Sequence, residues 1–121
     1  MKIQPEAVIF DMDGVLIDSE HLWRKAMIIG FNRIGLNFTE EDCRKTTGMR
    51  FREVVKKWLD HYSLNNIAVE SVERDVLSLL IEMIRTEGKP IAGALDLLEH
   101  CRRSGLLCGV ATSSYSVLVN A

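Results

Sequence analysis

The stretch Ala7-Val8-Ile9-Phe10-Asp11-Met12-Asp13-Gly14 decides how the rest of the chain is read. Four apolar residues, β-branched and aromatic, run without alternation into an aspartate. Such a run suits a strand buried on both faces of a parallel sheet. Asp11 then falls at the strand's carboxyl end, where open α/β sheets bind their ligands. Two residues apart, Asp11 and Asp13 share one face of a straight strand, and both reach a ligand beyond its end if the chain turns at Met12-Asp13-Gly14. Gly14 permits that turn. Phosphoryl transfer through an aspartyl-phosphate needs a carboxylate nucleophile, a hard cation between the anions and a proton donor for the leaving alcohol. Asp11 is placed for the first role and Asp13 for the last. The plain alternative is a solvated turn after a strand. A calcium-binding loop does not fit, because its glycine at position six and glutamate at position twelve are here Leu16 and Leu22.

Outward from this segment, a helix can start at Asp18-Ser19, with Leu22, Trp23, Ala26, Met27 and Ile34 along one face and Gly35 stopping it. Thr39-Glu40-Glu41-Asp42 has the form of a capping box with Asp in place of Glu, and Gly48 ends the short helix that follows. Val54, Val55, Trp58, Leu59 and Tyr62 repeat at helical spacing, as do Val69, Val72, Val76, Leu79, Leu80, Met83 and Ile84. Residues 19–87 therefore read as a helical module of four helices. Gly88, Pro90 and Gly93 mark a linker, Ala94 to Ser104 a helix stopped by Gly105, and Leu106 to Ala111 a second strand. Val117-Leu118-Val119 begins one more helix.

The expected fold is α/β: a partial Rossmann-like parallel sheet, with residues 1–18 and 88–121 forming its core and 19–87 an inserted α-helical cap. Thr112-Ser113-Ser114 follows the second strand, where hydroxyls and free backbone N–H groups can hold phosphate oxygens. The bland reading is that Thr112 or Ser114 only caps the next helix. Two strands leave both sheet edges open.

Of the 121 residues, 47% are hydrophobic and 26% charged, the balance of a soluble globular chain. A net charge of -2 provides no field to gather nucleic acid or anionic lipid, so a small-molecule partner is expected. No apolar run approaches the ~18 residues of a membrane span. Cys43, Cys101 and Cys108 are odd in number and far apart, which argues against a disulfide framework or a metal-binding pair and for a cytoplasmic setting. His21, His61 and His100 stand apart from one another and read as helix-surface residues rather than metal ligands.

Phe10-Asp11-Met12-Asp13-Gly14-Val15-Leu16-Ile17-Asp18-Ser19-Glu20 resembles motif I of the haloacid dehalogenase-like hydrolases, and Val110-Ala111-Thr112-Ser113-Ser114 resembles their motif II. The resemblance implies Asp11 as nucleophile and magnesium ligand, Asp13 as general acid/base with its backbone carbonyl on the metal, and Thr112 as phosphate ligand, with Mg2+ as cofactor. The aspartate pair points to phosphate esters rather than haloacids. Asp18 to Trp23 and the loop Thr47-Gly48-Met49-Arg50 are similar to the branch holding hexose- and hexitol-phosphate phosphatases and β-phosphoglucomutase. Trp23 and Arg50 would then face the substrate; otherwise Trp23 packs in the helical module and Arg50 is a surface residue. The later family motifs, a lysine and further acidic metal ligands, have no counterpart before Ala121. The expectation is a truncated phosphatase of sugar or polyol phosphates, nearly inactive alone. A sugar-phosphate mutase and a non-catalytic fragment that associates with another chain are the alternatives. Self-association would run through the incomplete core.

Overall fold

The structure is a computed structural model and describes residues 3–121. Strand β1 (Ala7–Phe10) is followed by helices α1 (Glu20–Arg33), α2 (Glu40–Arg44), α3 (Phe51–His61), α4 (Val69–Glu87) and α5 (Ala94–Arg103), then β2 (Leu107–Val110) and the short α6 (Ser116–Val119). β1 and β2 pair in parallel, Ala7 with Leu107 through Phe10 with Val110. The fold is α/β, and the chain divides into two units. One holds the chain up to Glu20 together with Glu87–Ala121; the other is His21–Thr86.

The helical unit is built by its apolar faces. Leu22, Ala26, Gly30 and Phe31 are buried on α1, Phe51, Val54, Val55, Trp58 and Leu59 on α3, and Val72, Val76, Leu80 and Met83 on α4. Phe31 stacks on Phe38 at 4.5 Å between ring centroids, and Phe38 meets the edge of Trp58 at 5.2 Å. Gly30 on α1 lies against α4: a Cβ there would lie 2.3 Å from Val76 Cγ2. Thr39 caps α2 as the sequence foretold, its hydroxyl accepting the Asp42 N–H while the Asp42 carboxylate accepts the Thr39 N–H. Tyr62 departs from the expected buried face. It lies at the C-cap of α3, 40% exposed, because the helix ends at His61 and the ring stacks across Trp58 from outside.

In the other unit the strand expectation needs correction. β1 is not buried on both faces: Ile9 is 72% exposed and Leu107 on β2 is 73% exposed, while Phe10 is buried. The register puts Ala7, Ile9 and Leu107 on one face and Val8, Phe10 and Val110 on the other. Helix α5 lies against β2. Apolarity of a strand records that its faces favour burial; it does not supply the element that covers them. The first helix also begins two residues later than Asp18, because Asp18 and Ser19 are held in the loop after β1.

Candidate active site

The end of β1 and the end of β2 fall level with each other. Beyond the paired Phe10 and Val110, the Ala111 N–H still donates to the Phe10 carbonyl at 2.8 Å. Asp11 and Ala111 are therefore neighbours at the carboxyl end of the ladder, about 4.8 Å apart in the strand-to-strand direction. Asp11 is exposed, and its Oδ1 accepts the N–H of Met12 at 2.8 Å.

The chain then folds tightly around the Met12 carbonyl, which accepts from the N–H groups of Val15, Leu16 and Ile17 at 3.3, 2.9 and 3.2 Å. Gly14 takes a positive φ of 75° and its N–H returns to the Ile17 carbonyl at 2.9 Å. This is the turn expected after Asp11, and glycine takes the left-handed backbone without steric cost. The loop is pinned from the far end of the sequence: Asp18 N–H donates to the Lys89 carbonyl, Ile91 N–H to the Leu16 carbonyl, and Ile17 bridges to Pro90. The 88–93 linker is thus a support for the aspartate loop.

Asp13 is half-buried and both of its carboxylate oxygens are occupied. Ser19, fully buried, donates its hydroxyl to Oδ1 at 2.6 Å. Ser114 donates its hydroxyl to Oδ2 across a sequence separation of 101 residues. The Ser114 N–H donates to Thr112 Oγ1 at 3.0 Å, closing a small hydroxyl turn after β2. The bland reading of this segment is not what the structure shows, since the N-cap of α6 is Tyr115, with no side-chain cap bond. Thr112 and Ser113 lie at the same strand end, half-buried and exposed respectively.

Trp23 and Arg50 belong to the helical unit. Trp23 is half-buried and its ring lies 5.3 Å from that of Phe51. Arg50 is exposed and caps α3 through its backbone, its carbonyl accepting from the Glu53 and Val54 N–H groups. Sequence reasoning gave Ser19 only a place at the start of the first helix, and gave no part in the site to the Met12 carbonyl or the Lys89 to Ile91 backbone. Ser19 stood in the motif without a stated partner, and a backbone contact across some seventy residues leaves no mark in a sequence.

Residues 8–120 match the family described as haloacid dehalogenase-like hydrolase. Hexitol phosphatase B of Escherichia coli (strain K12) is 31% identical over 109 residues, 89% of this chain and 49% of that protein. Among solved structures, CbbY from Rhodobacter sphaeroides in complex with phosphate superposes with a TM-score of 0.83 at 23% identity, covering 96% of this chain and 54% of that one. A CbbY mutant in complex with xylulose-(1,5)bisphosphate gives 0.80 at 24% identity, with the same coverage. These two show a shared fold. The chain spans about half the length of the curated relatives it matches.

Proposed function

The chain belongs to the haloacid dehalogenase-like hydrolase family, and on that premise we propose that it serves a phosphatase of sugar or polyol phosphates working through an aspartyl-phosphate. The observation that carries the reading is the level ending of the two parallel strands. It sets Asp11 beside Ala111, which leads into Thr112-Ser113, and Ser114 donates its hydroxyl to Asp13. Relatives and structural neighbours that act on or bind phosphorylated sugars and polyols support the substrate class.

In this reading an Asp11 carboxylate oxygen attacks phosphorus and the bond from phosphorus to the sugar oxygen breaks. Asp13 gives its proton to that departing oxygen. Water then attacks the aspartyl-phosphate, its proton passing to Asp13 as the bond from phosphorus to Asp11 breaks and inorganic phosphate leaves. Thr112, Ser113 and the backbone N–H groups around them hold the phosphate oxygens. For Trp23 and Arg50, in the helical unit, the reading assigns a part in holding the sugar, Arg50 through its fork of donors.

Magnesium fits the donors that this chain provides. The Asp11 carboxylate is exposed, with Oδ1 alone engaged by the Met12 N–H, and the Asp13 side chain is committed to two hydroxyls, leaving its backbone carbonyl as the second donor. Among the described residues no three His, Cys, Asp or Glu side chains gather. The remaining places belong to water and phosphate oxygens, as is usual for this ion. When bound, magnesium offsets repulsion between the phosphate and the attacking carboxylate. A cytoplasmic setting accompanies the reading: the three cysteines are free, and among the described residues no helix is long and apolar enough to cross a membrane.

The test is phosphate release from a panel of sugar and polyol phosphates with magnesium, on the intact protein and its Asp11→Asn variant. Activity that falls by about a thousandfold or more in the variant supports the nucleophile. Full activity in Asp11→Asn sinks it. Interconversion of sugar phosphates without free phosphate would instead favour the mutase.

A further inference from the structure

We propose that Ser19 and Ser114 are positioning residues for Asp13: a pair of hydroxyls that holds its carboxyl group in one orientation for donation to the leaving group. The proposal rests on the phosphatase reading and goes beyond it, because it takes Ser114 from the phosphate to the acid/base and gives Ser19 its role.

The two aspartates are held by different chemistry. Asp11 accepts from a backbone N–H, which can only donate. Asp13 is held by two hydroxyls, one on each oxygen. Each carboxylate oxygen keeps a second lone pair beyond the one its serine engages, so the group can be held from both sides and still serve a substrate oxygen. With both oxygens tied, rotation of the carboxyl group about its last torsion breaks at least one bond.

The anchoring of the two hydroxyls supports this. Ser19 is fully buried, and its N–H donates to the Ile17 carbonyl at 3.1 Å within the pinned loop. Ser114 is held by its N–H on Thr112 Oγ1, in the turn that follows β2. The pair thus ties Asp13 both to its own loop and to the segment that the reading assigns to phosphate. A mispositioned acid weakens proton donation to a leaving alkoxide while leaving nucleophilic attack intact.

That difference supplies the test. Ser19→Ala, Ser114→Ala, Ser19→Thr and Asp11→Asn are compared in the intact protein on a hexitol phosphate, whose alcohol leaves only with a proton, and on p-nitrophenyl phosphate, whose phenolate leaves without one. The alanine variants are expected to lose about ten- to a hundredfold in the single-turnover rate of alcohol release from the hexitol phosphate, the step in which Asp13 acts as acid, part of what a general acid contributes. Single-turnover release of p-nitrophenolate is expected to stay within about threefold, with KM little changed on both; Ser19→Thr, which keeps the hydroxyl, restores the rate. Equal losses on the two substrates would mean a structural role and overturn the proposal, as would wild-type rates in both alanine variants. A rise in KM confined to Ser114→Ala, with kcat preserved, would return Ser114 to the phosphate. In each of those cases an inactive Asp11→Asn variant leaves the phosphatase reading standing; an active one removes both. Ser114 is only half-buried, so its variant carries the test if Ser19→Ala fails to fold.

Discussion

Gly30 shows how much one missing side chain can matter. Because a Cβ at this position would meet Val76 Cγ2 at 2.3 Å, α1 and α4 approach only if residue 30 has no side chain. Gly30→Ala improves helix propensity, yet the overlap dominates, and the variant is expected to lose about 1–3 kcal/mol of stability by urea denaturation. The cysteines differ by environment. Burial pushes the Cys43 thiol up to about 11 and raises that of Cys101, so both stay protonated at neutral pH, whereas Cys108 is exposed on β2. A thiol reagent such as Ellman's is expected to label Cys108 rapidly in the native protein and the other two only on unfolding. Mass spectrometry of the labelled chain would check this, and rapid labelling of Cys43 would refute it.

At the scale of elements, α2 is five residues long and far too short to persist by propensity. Its capping box compensates: Thr39→Ala removes the hydroxyl that accepts the Asp42 N–H and is expected to cost about 0.5–2 kcal/mol. The same box carries a pH dependence. The Asp42 carboxyl is lowered below its ordinary value, first by its hydrogen bond from Lys45 and also by those from Thr39, with desolvation opposing them. A depressed carboxyl contributes stability that is present above its unfolded value and lost as pH falls through the folded one. The stability difference between wild type and Asp42→Ala is therefore expected to hold at neutral pH and to shrink below about pH 4, read from urea midpoints. A difference that grew in acid would contradict the assignment.

For the whole molecule, the two units differ in how their apolar residues are placed. The helical unit encloses Phe31, Leu22, Leu80, Val55, Val72 and Val76 completely. The unit with the aspartates leaves Ile9, Leu107 and Val110 open on a two-stranded sheet whose pairing edges are free among the described residues. Open apolar strands are templates for association. The 121-residue chain is expected to gain mass with concentration in light scattering, and Leu107→Lys to reduce that gain. A monomer at every concentration would show that the exposed face is not sticky enough to matter.

Local pattern fixed the element types, the Thr39 box and the stops near Gly35 and Gly105, because caps, glycines and helical periodicity act within a few residues. It also brought out the aspartate pair after a strand and the hydroxyl run after another, and their likeness to two family motifs. What it could not contain was any relation between residues far apart in the chain. That Ser114 reaches Asp13, that Lys89 and Ile91 brace the aspartate loop, and that Ile9 faces outward follow from strand register and chain crossing. Those are decided only when the ladder closes, because a hydrogen bond between residues 13 and 114 has no local energy term until tertiary structure brings them together.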